Sequence, residues 1–214
     1  MKLLVSILCV FSWTIGLAQN REPEAQTLLE AVSAKVKSYD NMVLEFKYVL
    51  ENSEENINQE TRGNITLSNE KYFLNILGLT RIFDGESLYT ISPEDEEVTI
   101  SSFNTSDENT ITPSKMLTFY ENGYNYKMDI IQNIQGRKIQ YVRLDPIDST
   151  TEIKYVLLGV DINTKHVYRL IEIGANSTKT ILTVNSFKTN QPLSETLFTF
   201  DASNYSDFYI NNLD

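Results

Sequence analysis

From Met42 onward, apolar side chains recur at every second residue in short runs broken by turn formers. No other feature limits the fold as strongly, because a period of two is the signature of strands with one face buried. Leu44, Phe46, Tyr48 and Leu50 alternate with Glu45, Lys47, Val49 and Glu51. Further strands are expected at about 61–67, 71–77, 80–84, 87–92, 97–103, 124–131, 138–145, 153–160, 166–173, 178–188 and 196–200. Turn signals separate them at Ser68-Asn69, Gly78, Pro93-Glu94, Gly136, Pro146, Asn163-Thr164 and Asn176-Ser177. Asp84-Gly85, flanked by Ile82-Phe83 and Leu88-Tyr89, predicts a two-residue hairpin turn. Strands this close together make an antiparallel meander, not alternating strand–helix units.

Several strands are apolar on both faces. Tyr72, Leu74 and Ile76 alternate with Phe73 and Leu77, and Val156, Leu158 and Val160 with Tyr155 and Leu157. Something must then cover each side, or the sheet must curl round on itself. Two helices are available for this. Ala25, Leu28, Leu29, Val32 and Val36 form one stripe on a helix expected from Pro23 to Tyr39, with Lys35 and Lys37 at its end and Asp40-Asn41 as a stop. Mid-chain, Pro113 to Asn122 reads as a short apolar helix with Thr112 as N-cap and Gly123 as terminator.

Residues 1–18 (MKLLVSILCVFSWTIGLA) combine Lys2, an apolar run from Leu3 to about Trp13, and small residues at Gly16 and Ala18. This is the layout of a secretory signal peptide cleaved after Ala18, leaving 19–214 as a single domain. Cleavage removes Cys9, the one cysteine, and shifts the formal charge from −11 to −12. A charge of that sign argues against nucleic acid as partner and against standing attachment to an anionic lipid surface.

Chemistry-bearing residues are scarce. His166, the one histidine, begins a strand with no Ser or Cys nucleophile signature near it. Glu94-Asp95-Glu96-Glu97 lacks the alternating ligands and central Gly of a calcium loop and reads as a solvated hairpin tip. Asn64-Ile65-Thr66 and Asn176-Ser177-Thr178 match glycosylation acceptors, relevant only on a eukaryotic secretory route. No Gly-rich phosphate loop occurs, no cofactor or metal is implied, and the chain reads as a non-enzyme.

Three segments in order carry a resemblance. They are Phe83-Asp84-Gly85-Glu86-Ser87-Leu88-Tyr89, then Pro113-Ser114-Lys115-Met116-Leu117, then Pro192 to Asp201 (PLSETLFTFD) with its Phe198 and Phe200. Together with the leader and the first helix, they resemble the periplasmic outer-membrane lipoprotein carrier family, LolA, over about Glu24 to Asn204. Met116 to Lys127 (MLTFYENGYNYK) and the Ala18-Gln19 cleavage context are similar to the Bacteroidota type. The resemblance implies an unclosed antiparallel β-barrel of about eleven strands, covered by the N-terminal and mid-chain helices. It also implies a monomeric periplasmic carrier that performs no covalent chemistry. Its partners would be acylated lipoproteins, the inner-membrane ABC complex that releases them and, where one exists, an outer-membrane acceptor. A lipid-sensing or interaction module on the same fold is the alternative reading.

Each buried acyl CH₂ is worth about 0.8 kcal/mol, so cargo leaves a membrane only for a cavity giving comparable burial. Leu28, Val32 and Val36 of the first helix, Phe46 and Phe73 of the early strands, and Met116, Leu117 and Tyr120 are the residues expected to line it. Ordinary core packing is the competing account of each. The family's lid-holding Arg after the second strand aligns with Asn69 here, so that role is not carried over.

Overall fold

The computed structural model describes residues 21–102, 113 and 115–213. The expected leader and the capping role of Thr112 lie outside these residues. One helix, α1 (Pro23–Lys37), begins with Pro23 in its first turn, where a missing N–H leaves no bond unmade. It stops short of Tyr39 because the Ser38 N–H turns back to the Lys35 carbonyl and the Tyr39 N–H to the Val36 carbonyl. Ala25, Leu29 and Val32 are its buried stripe.

The strands are β1 (Met42–Asn52), β2 (Ile57–Ser68), β3 (Lys71–Ile76), β4 (Leu79–Phe83), β5 (Ser87–Ser92), β6 (Glu97–Ser102), β7 (Tyr124–Ile134), β8 (Arg137–Pro146), β9 (Ile153–Asp161), β10 (Val167–Gly174), β11 (Lys179–Thr189) and β12 (Tyr209–Asn212). The first eleven stand where the alternation places them. They form one sheet in the order β12-β6-β5-β4-β3-β2-β1-β11-β10-β9-β8-β7. Two meanders, β1–β6 and β7–β11, therefore join along the long antiparallel pair β1–β11, from Met42↔Thr189 to Glu51↔Lys179. The loops at that junction are clasped together. The Asn41 amide donates to the Gln191 carbonyl at 2.9 Å, and its Oδ1 accepts from the Gln191 N–H at 2.9 Å. At the far edges β12 and β7 do not pair with each other, so the barrel stays unclosed.

Several expectations change in detail. The segment at 196–200 is not a strand, because turn hydrogen bonds from Leu197 to Ser194 and from Thr199 to Thr196 occupy its backbone. The twelfth strand is instead Tyr209–Asn212, which runs parallel to β6. The mid-chain segment forms two short 3-10 turns, Lys115–Leu117 and Phe119–Glu121, in place of one continuous helix. The Asp84-Gly85 hairpin is centred one residue later: the Asp84 N–H donates to the Ser87 carbonyl at 3.3 Å, around Gly85-Glu86. The Asp84 carboxylate holds that turn by accepting from the N–H groups of Glu86 and Ser87. Finally, Leu77 leaves the strand pattern. It occupies a two-residue loop with Gly78, both at positive φ, the backbone such tight hairpins require.

Candidate functional site

Alternation sends one set of side chains to the concave face of the sheet, where two apolar clusters form side by side. Over β8, β9 and β10, Val142, Leu144, Val156, Leu158 and Val160 pack beneath Leu29 and Val32 of α1. Tyr120 seals this cluster. Its hydroxyl shares a 3.0 Å hydrogen bond with Ser33, and its backbone carbonyl accepts from the Tyr126 hydroxyl. Burial pushes the Tyr120 phenol up to about 12, so it remains protonated and able to donate at any physiological pH.

Polar contacts tie both ends of α1 to this segment. Lys37 pairs with Glu121 at 2.5 Å. Arg21, just before the helix, donates to the Glu121 carbonyl at 2.8 Å and lies over the Tyr126 ring at 4.3 Å. A cleft of about 410 Å³ separates the helix from these residues.

The second cluster occupies β1 to β4 and β11. Met42, Leu44, Phe46, Ile65, Leu67, Tyr72, Phe83 and Val184 are buried there. Around them Leu74, Ile76, Leu88, Leu117, Leu182 and Phe187 are only half-buried. Gly63 makes room for Phe46 to lie across β2. A Cβ at Gly63 would stand 2.6 Å from Phe46 Cζ and 2.7 Å from the Asn75 carbonyl oxygen. At the junction of the two clusters the apolar lining is interrupted by Glu172, which pairs in register with Val156 on one side and Thr180 on the other. Burial pushes its carboxyl above the ordinary range.

The opposite face is covered separately. Phe73 packs there with Ile82, Ile91 and Val98, under Phe200, Tyr205 and Phe208. Phe200 stacks on Tyr89 at 4.7 Å, so the C-terminal aromatics that resemble a closing strand act as a cover on the sheet. Ile139, Tyr141 and Tyr168 form a further cluster in which Gly159 admits the Tyr141 ring. A groove of about 990 Å³ contains the cross-strand row Glu45, Asn64, Asn75 and Thr80. Its amides satisfy one another, Asn75 donating to Asn64 at 3.0 Å and Thr80 to Asn75 at 2.8 Å. Val43, Phe46, Ile76, Leu77 and Leu79 supply apolar lining beside this polar row.

The eight expected lining residues therefore divide. Leu28, Val32 and Tyr120 belong to the cluster under α1, Phe46 and Leu117 to the second, and Val36 touches both. Phe73 lies on the other face, and Met116 is exposed. The expectation missed Leu74, Leu88, Leu182 and Phe187. For Leu74 the signal was present: it shares the parity of Tyr72 on β3. The His166 ring meets two aromatic side chains. Its Nε2 meets the Tyr39 hydroxyl at 2.9 Å, and its ring stacks on Phe187 at 4.1 Å. Among the described residues, no three His, Cys, Asp or Glu side chains gather as metal ligands.

A family model described as outer membrane lipoprotein carrier protein LolA matches residues 79–201 of this chain. An uncharacterized conserved protein from Thermus thermophilus superposes with a TM-score of 0.59 at 10% identity, over 88% of this chain and 99% of that one. LprF from Mycobacterium bovis does so with a TM-score of 0.52 at 12% identity, over 82% and 97%. A LolA superfamily protein from Nitrosomonas europaea gives 0.44 at 15% identity, over 83% and 98%. At such identities the likeness to solved structures concerns the fold. No curated protein matches the sequence.

Proposed function

The chain belongs to the outer membrane lipoprotein carrier family, LolA, and from that premise we propose that it carries acylated lipoproteins across the periplasm. After export and removal of residues 1–18, it takes cargo from an inner-membrane ABC complex, shields the acyl chains and delivers them to the outer membrane. The observation that carries this reading is the second concave cluster. Leu74, Ile76, Leu88, Leu182 and Phe187 stay half-buried on a face that the strand pattern makes apolar. Apolar area left accessible inside a fold is area a ligand can bury, at about 25 cal/mol per Å². Leu117, on a short 3-10 turn suited to moving aside as cargo enters and leaves, and Val36, near the end of α1, stand at its border. No bond is made or broken in this cycle, so the protein acts as a carrier and not as an enzyme.

The test is direct. Mature protein purified from an envelope fraction is examined for bound lipid, then added to spheroplasts that hold newly acylated lipoprotein. Stoichiometric acyl chains and release of lipoprotein into the medium are expected. Protein that holds no acyl chain and releases nothing would sink the carrier reading.

A second reading, an interaction module on the same fold, draws on the free edge of β12. Among the described residues β12 has one unpaired side, and Tyr209 on it and Leu213 just after it are 68% and 64% exposed. Under that reading a partner protein would be retained by the wild type and lost on Tyr209→Lys, with lipoprotein release untouched.

A further inference from the structure

Beside the β3–β4 hairpin the sheet has a notch. β1 pairs with β2 from Ile57 to Leu67, whereas β3 pairs with it only from Gly63 to Ser68. Among the described residues, the outer edge of β2 is therefore unpaired from Ile57 to Arg62, and its backbone is open to another strand. The groove of about 990 Å³ starts at that edge, with Arg62 and Gly63 in its wall. Two successive rows of the sheet line it: Phe46, Gly63, Ile76 and Leu79, then Glu45, Asn64, Asn75 and Thr80. Alternation sends successive rows to opposite faces, so the groove runs from the concave side round the hairpin tip to the outer side. Asn64 keeps both of its side-chain N–H groups unused among the described residues, and Asn75 keeps one. The hairpin tip adds a second observation. Leu77 is held at φ 54°, and among the eight described non-glycine residues at positive φ it is the apolar one. It is 70% exposed and lines the groove. Asn in its place would give Asn-Gly, the pair that such turns favour. A strained leucine that faces water adds nothing to the core, and strain of this kind collects where a chain meets its ligand.

Two residues of the groove identify its occupant. Phe46 and Ile76 also belong to the second concave cluster, whose half-buried side chains are left for acyl chains. A polypeptide whose acylated end lies in that cluster leaves it past these two residues. We propose that the groove takes the extended peptide that follows the acylated residue of the cargo, added as a strand to the Ile57–Arg62 edge of β2. The free backbone of that edge and the spare amide N–H groups of Asn64 and Asn75 pair with peptide groups, which every sequence carries. Cargo of different sequence is therefore held alike. Leu77 covers one apolar side chain of the peptide as it passes the hairpin tip. Burial of the acyl chains makes this second contact intramolecular, so weak pairing is enough. The inference rests on the acyl-carrier reading and adds to it a site for the polypeptide of the cargo.

The experiment measures binding of four synthetic ligands to the mature chain. They are an acylated lipopeptide with an eight-residue peptide, the same lipopeptide with alternate backbone nitrogens methylated, the acylated residue alone as its amide, and the peptide without acyl chains. The wild type should bind the lipopeptide about tenfold more tightly than either the methylated form or the acylated residue alone, the scale of one or two net hydrogen bonds. The unacylated peptide should bind far more weakly than all three. Hydrogen exchange across Ile57–Arg62 should slow with the lipopeptide and stay unchanged with the acylated residue alone. The double substitution Asn64→Ala with Leu77→Asn should remove most of the preference and leave binding of the acylated residue as it was. Leu77→Asn alone should melt at a higher temperature than the wild type while weakening the lipopeptide; a lower melting temperature with unchanged lipopeptide affinity overturns the inference. Equal binding of the lipopeptide, its methylated form and the acylated residue, or protection that falls on Tyr209–Asn212 in place of Ile57–Arg62, overturns the inference and leaves acyl carriage intact. So does an unacylated peptide that binds as tightly as the lipopeptide. Failure of every acylated ligand to bind overturns the carrier reading, and the inference with it.

Discussion

On β8 and β9 the concave side chains Val142, Leu144, Val156, Leu158 and Val160 are all sealed, whereas Leu74 on β3, Leu88 on β5 and Leu182 on β11 stay half-buried. Both regions belong to one sheet and obey one alternation. What differs is the element above them. Leu29 and Val32 of α1 fill the first region, and Tyr120 closes it with a hydroxyl bonded to Ser33. Over the second, the described residues supply only Val36, Tyr39 and Leu117 at the border. Strand pattern thus decides which side chains face inward, and the overlying helix decides which of them are used up by the fold. Those not used up remain for a ligand.

The largest effect should separate the two regions outright. Leu144→Ala removes a fully sealed side chain and leaves a cavity, so urea unfolding should show a loss of about 3 kcal/mol. Leu182→Ala removes one that water already reaches, and the loss should be about 1 kcal/mol, with binding of an apolar fluorescent probe falling instead. Equal losses from the two substitutions would erase the distinction.

Gly63→Ala probes the floor of the second region. The new methyl would meet Phe46 Cζ at 2.6 Å and the Asn75 carbonyl at 2.7 Å, and overpacking of this kind destabilises by about 1–3 kcal/mol. Adding Phe46→Leu should relieve only part of this, because the carbonyl belongs to the backbone of β3 and cannot swing away. Complete rescue would mean that the ring alone sets the floor.

In the sealed region Tyr120→Phe tests the closing hydrogen bond. It strands the Ser33 hydroxyl, which is only 6% exposed, at a cost of about 1 kcal/mol. The double substitution with Ser33→Ala should recover most of that, since no polar atom is then left unpaired. A double variant as weak as the sum of the singles would contradict a closed polar pair.

The strands were legible in the sequence because a period of two survives any tertiary arrangement, and eleven of them lie where alternation put them. The amphipathic stripe of α1 was legible for the same reason. The mid-chain segment was not: Met116, Leu117, Phe119 and Tyr120 lie close together as in a helix, yet only two 3-10 turns form. Phe200 was misread because Phe198 and Phe200 alternate as in a strand, while the edge beside β6 is taken by Tyr209–Asn212. Of the expected lining residues, Phe73 fell on the wrong face because a strand apolar on both sides carries no mark of which side is concave. Glu172 drew no notice at all, since a single acid in an acidic chain stands out only when register shows what surrounds it.

The smallest effect lies at the border of the two regions and depends on pH. Tyr39, two residues beyond α1, holds His166 Nε2 at 2.9 Å, and the imidazole stacks on Phe187 of the half-buried lining. Burial holds the His166 pKa below its ordinary value of 6.5, with Asp161 opposing and Lys35 assisting. In the window between the lowered folded value and 6.5 the unfolded chain therefore binds more protons than the folded one. The contribution of neutral His166 to stability is complete above pH 6.5 and is lost as pH falls through the folded value. Glu172 acts with the opposite sign: its raised pKa favours the folded state below about 4.5 and that benefit fades as pH rises through the folded value. Between pH 7.5 and 5.5 the wild type should lose stability relative to His166→Gln, read as the difference between their urea midpoints. Hydrogen exchange should quicken first in β11 and the start of β1, where Phe187 pairs with Leu44, while β8 and β9 stay protected. A difference in midpoints that stays flat across that range would detach the histidine from the border and leave the contrast between the regions to packing alone.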